Sequence, residues 1–196
     1  VLVLNVGGMV NLKPVWEVKN ILLLGQLGTP TGDVLTDLLS GKSYPSGKLA
    51  MTWTDIDEYP STKGFGNPDD TYYNEGIFVG YRYLDAYHVE PEFCFGHGLS
   101  YTSFAYESAE LVKEEEKIYA ECQIANTGAM DGKEVIQVYL APKKRAKDEP
   151  VCQLKGFEKI FLKSSEKKKL RVEIEDYSEN MDVWIGSSLR DIRVRI

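Results

Sequence analysis

Ile118-Tyr119-Ala120-Glu121-Cys122-Gln123-Ile124 sets Ile118, Ala120, Cys122 and Ile124 on one face of an extended chain and Tyr119, Glu121 and Gln123 on the other. Leu170, Val172 and Ile174 repeat the pattern against Lys169, Arg171, Glu173 and Glu175. A period of two with a single apolar face marks a strand buried on one side and solvated on the other. Outward from these two stretches, Val135–Leu140, Val151–Leu162, Val183–Ile185 and Ile192–Ile196 supply further strands. Turn residues stand at Asn126-Thr127-Gly128, Lys163-Ser164-Ser165 and Gly186-Ser187-Ser188. Such spacing predicts around seven short strands over residues 106–196.

Seven strands in so short a segment point to an all-β sandwich of the immunoglobulin/fibronectin type III-like kind. Residues 1–105 read differently. Val1–Val6 is a continuous apolar run ending in Gly7-Gly8, and Ile21–Leu24 is another ending in Gly25. Runs apolar on both faces suit parallel strands covered by helices, so this part reads as α/β. Leu12 to Lys19 leaves room for a short helix or an irregular crossover between them. After Gly25–Gly32, residues 33–39 place apolar side chains at helical spacing, with Thr29 as N-cap, Pro30 at the first helical position and Gly41 as the stop. Two strands and one or two helices do not complete an α/β sheet, so this part is a partial α/β sandwich that needs partners. The polar stretch Asp55–Asp70 reads as irregular chain of the sort found at functional sites and interfaces.

Charge divides the chain at the same place. Residues 1–105 carry 6 basic and 12 acidic side chains, and residues 106–196 carry 17 and 18. Over all 196 residues the net charge is −7, which argues against nucleic acid as a partner. No apolar run approaches the roughly 18 residues of a membrane span. Cys94, Cys122 and Cys152 are odd in number, lack a C-x-x-C spacing and have only His88 and His97 to help hold a metal. No metal site is expected, and scattered thiols point to a reducing, cytoplasmic setting. A single Cys122–Cys152 bridge stays open on sequence alone, as does a secreted or periplasmic location. The chain opens inside an apolar run without an initiator Met, as a fragment of a longer protein would.

The chemistry-bearing motifs are sparse. Gly25-x-x-Gly28 ahead of a helix departs from both the P-loop and the dinucleotide fingerprint, so its glycines read as a tight strand-to-helix turn and no cofactor is expected. No G-x-S-x-G surrounds Ser46 or Ser100. His97, between Gly96 and Gly98, could act as a base but reads first as a stacked or hydrogen-bonded loop residue. Asp55, Asp57, Glu58, Asp69, Asp70 and Glu75 lie in or beside the irregular region, yet spacing cannot pair two of them as a glycosidase requires. Glu75, with Arg82 seven residues on, reads as one half of a buried Glu75–Arg82 ion pair or a domain contact before direct sugar contact. Lys143-Lys144-Arg145 and Lys167-Lys168-Lys169 are offset by nearby acids and read as solvated faces.

Three groups of residues resemble glycoside hydrolase family 3. Gly25 through Gly32, Asp37–Gly41 and Pro45-Ser46-Gly47-Lys48-Leu49 with Thr52-Trp53 form the first. Tyr73–Tyr83 and Phe95–Phe104 form the second, and Asn126-Thr127-Gly128, Gly132–Tyr139 and Gln153–Lys159 the third, which is similar to the family's fibronectin-like module. Leu27 and Thr29-Pro30 depart from the acidic residue and glycine common in that loop, and Asp176–Gly186 is shorter than usual. The resemblance implies the C-terminal portion of a retaining exo-acting β-glycosidase, chiefly a β-glucosidase. Residues 1–105 would end the α/β sandwich domain and residues 106–196 would be the fibronectin type III-like domain. It implies a β-glucoside or oligosaccharide substrate and a TIM-like barrel with further α/β strands as partners. The nucleophile and acid/base fall outside the matched positions, so no catalytic residue is assigned here; Glu75, Arg82 and His97 are site-proximal candidates. The alternative is a non-catalytic carbohydrate-binding or scaffold module, and homo-oligomers are compatible with either.

Overall fold

The computed structural model describes residues 1–62 and 66–196. Of the irregular stretch expected over Asp55–Asp70, Lys63, Gly64 and Phe65 lie outside the described residues. Contacts divide the chain into two compact units, Val1–Pro45 and Ser46–Ile196. No helix among the described residues is long and apolar enough to cross a membrane.

In the first unit β1 (Leu2–Leu4) pairs in parallel with β2 (Ile21–Leu23), Leu2 facing Ile21 and Leu4 facing Leu23. The crossover holds a 3-10 turn at Lys13–Val15 with Pro14 as its second residue, where the ring fixes φ and the missing N–H costs nothing. Helix α1 (Thr31–Leu39) begins one residue later than the sequence suggests. Gly28, at φ +72°, closes a turn in which the Thr31 hydroxyl donates to the Gly28 carbonyl at 2.6 Å. That turn takes up Thr29 and leaves Pro30 in the cap position. Gly41, at φ +74°, ends the helix as expected.

The second unit opens with turns and short helices, among them α2 (Tyr81–Ala86), and continues into seven antiparallel strands. These are β3 (Phe104–Glu114), β4 (Lys117–Asn126), β5 (Gly132–Pro142), β6 (Gln153–Leu162), β7 (Lys167–Ile174), β8 (Met181–Ser188) and β9 (Asp191–Arg195). Their order is β3-β4-β7 in one sheet and β6-β5-β8-β9 in the other. The core takes Ala120, Cys122 and Ile124 from β4, Ile136, Val138 and Leu140 from β5, and Val172 and Ile174 from β7. Each valine, leucine or isoleucine among them contributes about 1.5–3 kcal/mol by leaving water. On the outer face of β4 and β7, Glu121 accepts from Arg171 Nε at 2.7 Å, and Arg171 also reaches Glu114 at 2.6 Å.

Two features of the sandwich escape the alternation rule. A bulge between Tyr106 and Ser108 shifts β3 by one residue, so Phe104 and Tyr106 face the core before it and Ala109 and Leu111 after it. At Gly156 a Cβ would stand 2.4 Å from the Glu173 carbonyl oxygen, so only glycine lets β6 lie this close to β7.

All three cysteines are buried and unbridged. Cys122 sits between the sheets, whereas Cys152 packs with Cys94, Tyr139 and Leu189 in a separate cluster, so the Cys122–Cys152 bridge left open by the sequence does not form. Burial pushes the Cys122 thiol up to about 11 and the Cys152 thiol up to about 12. Both therefore stay protonated in the folded chain after an unfolded thiol, near 9.0, has ionised. Their contribution to stability is full below that value and is lost as pH rises towards the folded ones. Native protein at pH 8 is expected to leave Cys122 and Cys152 unmodified by iodoacetamide, while urea-unfolded protein reacts at all three thiols. Modification of either in the native state at the unfolded rate would contradict this burial.

Candidate functional site

In the first unit the carboxyl ends of β1 and β2 lead into Gly7-Gly8 and Gly25–Gly28. The Leu24 N–H donates to the Leu4 carbonyl at 2.9 Å and holds the two exits side by side. The Gln26 side chain lies against the Gly7 backbone, where a Cβ would meet its amide at 2.9 Å. These exposed turns carry no ionisable side chain of their own. They form a backbone rim of the kind that borders ligands in open α/β sheets.

The second unit holds the three sequence-level candidates, Glu75, Arg82 and His97. Residues around Leu49–Trp53 run antiparallel to Phe93–His97: Leu49 N–H donates to the His97 carbonyl, Gly96 N–H to the Leu49 carbonyl, and Trp53 exchanges both bonds with Phe93. His97 is thereby fixed by its backbone, and its ring stacks on Phe93 with centroids 5.1 Å apart. Burial and the nearby Lys48 charge hold its imidazole below the ordinary 6.5. The structure places His97 as a loop residue held through its backbone, with its ring tilted 39° against Phe93.

Glu75 and Arg82 make no ion pair with each other among the described residues, which corrects the expected Glu75–Arg82 contact. Gly76 and Gly80, at φ +57° and +56°, break the regular backbone between them, so sequence spacing alone does not bring the two side chains together. Glu75 is half-buried beside the exposed Tyr72 and Tyr73. Arg82, on the first turn of α2, holds its guanidinium 6.0 Å from the Tyr81 ring centroid, and its Nε is buried without a hydrogen-bond partner.

Another polar arrangement of the second unit includes none of these three side chains. A cleft of about 250 Å³ opens between the 46–48 and 98–104 segments and the ends of β5, β8 and β9. Lys48 Nζ donates to Glu134 Oε1 at 2.9 Å and to the Gly98 carbonyl at 2.7 Å, both side chains being nearly buried at 12% and 7% exposure. Across the cleft Asp191 Oδ2 accepts from Arg193 at 2.7 Å and from the Ser187 hydroxyl at 2.5 Å. Arg193 foremost, helped by Ser187, holds the Asp191 carboxyl below its usual range. A second buried network lies beside it. Gln137 Nε2 donates to the Gly96 and Ser187 carbonyls at 3.2 and 2.7 Å, and its Oε1 accepts from the Tyr139 hydroxyl at 2.5 Å.

Sequence reasoning missed Lys48 and Gln137 because each finds its partner far along the chain, at Glu134 and Gly96. Asp191 and Arg193 pair only two positions apart, which is the i, i+2 same-face spacing of a strand and a signal the sequence did carry. Glu134 carried a usable signal: it shares the parity of Ile136, Val138 and Leu140, and a charge on a core-facing register needs a buried partner.

Residues 1–101 match the glycosyl hydrolase family 3 C-terminal domain, and residues 134–188 match a fibronectin type III-like domain. Thermostable beta-glucosidase B of Acetivibrio thermocellus is 37% identical over 98% of the chain and 28% of its own length. An exo-alpha-(1->6)-L-arabinopyranosidase of Bifidobacterium breve is 35% identical over 98% of the chain and 28% of its own length. The structure of beta-glucosidase 3B from Thermotoga neapolitana in complex with alpha-D-glucose superimposes with a TM-score of 0.90, at 37% identity over 99% of the chain and 30% of that protein. The chain thus spans under a third of the length of these relatives. The family domain, the sandwich module and the collinear likeness together show that this chain belongs to glycosyl hydrolase family 3, as the C-terminal portion of such an enzyme.

Proposed function

We propose that this chain braces and roofs the active site of a retaining, exo-acting β-glycosidase, a β-glucosidase releasing terminal β-D-glucosyl residues, whose nucleophile and acid/base lie outside residues 1–196. Residues 1–105 act as the end of the α/β sandwich domain and residues 106–196 as the fibronectin type III-like buttress, with the barrel and further α/β strands as their partners. The cytoplasm is the proposed location, a reading supported by three unbridged thiols.

The observation that carries this reading is the state of the first unit. A parallel pair of three-residue strands cannot stand alone in water. Its 45 residues also leave Trp16 and Leu39 more than half exposed, with Leu23 and Leu27 exposed beside them. That apolar surface suits burial against a larger sheet. The chemistry of the cleft agrees. A glycosidase acid needs a raised pKa, and Asp191 is shifted the opposite way while Glu134 is paired with Lys48.

Residues 1–196 alone are expected to release no aryl aglycone from aryl β-glucosides, and co-expression with the barrel-bearing part of the same protein is expected to restore turnover. Hydrolysis by residues 1–196 alone would overturn the proposal.

A further inference from the structure

The cleft bounded by the 46–48 and 98–104 segments has a charge balance that the brace function does not use. Three cations line it, Lys48, Lys133 and Arg193, against two carboxylates, Glu134 and Asp191. Both carboxylates are already engaged, Glu134 by Lys48 and Asp191 by Arg193. Lys133 is the surplus charge, exposed at the mouth with no carboxylate partner among the described residues. Lys159, opposite Val135 on the neighbouring strand, adds a further cation beside it.

Two neighbouring groups have their pKa lowered mainly by burial, with the cleft's lysines adding to it and, at Lys159, Glu134 opposing it. Lys159 is held below the usual lysine range by burial and then by the charges of Lys133 and Lys48. His97 is held down by burial and then by Lys48. A cationic recess in a chain of net charge −7 is a local arrangement rather than a reflection of composition. Donors accompany it. Ser100 Oγ is buried on the cleft wall without a hydrogen-bond partner, and Lys48 has two of its three N–H bonds committed, to Glu134 and Gly98, leaving one.

We propose that this cleft is a binding site for a small oxyanion, a phosphate or carboxylate group of up to monosaccharide size, held by Lys133 at the mouth with Ser100 and the third donor of Lys48 inside. Its volume of about 250 Å³ admits such a ligand and little more. Glu134 and Asp191 do not repel it, because Lys48 and Arg193 neutralise them at contact distance. The site makes no use of the brace reading and stands or falls independently of glycosidase activity.

The test is isothermal titration of the intact protein with inorganic phosphate at constant ionic strength, with gluconate and neutral glucose as parallel arms. Saturable binding of phosphate or gluconate is expected, and none of glucose. Lys133→Ala, at an exposed position, is expected to fold normally and to weaken the anion by roughly tenfold or more, the worth of one charge-assisted contact. Ser100→Ala is expected to weaken it less. Saturation by phosphate alone assigns the site to a phosphate group, and by gluconate alone to a carboxylate. Absence of saturation by both anions overturns the proposal, as does equal binding of glucose or an affinity unchanged in Lys133→Ala.

Discussion

Gly96→Ala is expected to destabilise the folded chain by about 2–5 kcal/mol and to lower its melting temperature by roughly 10 °C. Two costs add. Gly96 sits at φ +81°, where any L-residue pays about 1–2 kcal/mol. The new Cβ would also stand 2.1 Å from Gln137 Oε1, so the Gln137 amide must leave. Its departure strips the Gly96 and Ser187 carbonyls of a donor and the Tyr139 hydroxyl of its acceptor, in a region where Gln137 is 3% and Tyr139 0% exposed. Stranding buried polar groups costs about 1–3 kcal/mol. Urea titrations of a double-mutant cycle separate the two. In a Gln137→Ala background Gly96→Ala is expected to cost only the backbone strain. Full additivity of the two substitutions would refute the role given to the amide.

Lys48→Met is expected to cost about 3–5 kcal/mol, because it leaves the Glu134 carboxylate buried and unpaired. It also removes the donor to Gly98, loosening the segment that carries His97. Adding Glu134→Gln is expected to restore at least half of the loss. The amide oxygen still accepts from the Val135 N–H, now at 2.7 Å from Glu134 Oε1, and no lone charge remains inside. The measurement is again urea unfolding, at low salt and near 1 M salt. A buried pair is expected to be almost indifferent to salt. A double variant no more stable than Lys48→Met, or a cost that vanishes in salt, would show that the pair acts as an ordinary surface bridge.

How much of this was legible follows from the range of each interaction. β4 and β7 are readable because one face of each is core and the other water, so Ile118–Ile124 and Leu170–Ile174 alternate without a break. β3 is not, since the bulge after Tyr106 swaps its faces midway and erases the period. The start of α1 was displaced by one residue because the Gly28 turn consumes Thr29, a detail set by backbone geometry and not by capping preference. Of the site candidates, His97 lay in a Gly-His-Gly setting that exposes the histidine to notice. Its stacking on Phe93 involves a neighbour four residues away, which is within the reach of sequence reasoning. Glu75 and Arg82 were not readable as a pair or otherwise, because two positive-φ glycines interrupt the regular geometry on which a spacing argument rests. The Lys48–Glu134 and Gln137–Gly96 contacts join residues 86 and 41 positions apart, and no local pattern encodes such a meeting.

Gly156 has a consequence beyond packing. By letting β6 rest against β7, it brings the Glu175 N–H to the Lys155 carbonyl at 3.4 Å across the seam between the two sheets. Strand borders with idle amides recruit other chains into intermolecular ladders, the first step of fibre growth. Along this flank the Glu175 amide and the Lys155 carbonyl are spent on each other, which leaves two fewer border groups for an incoming strand.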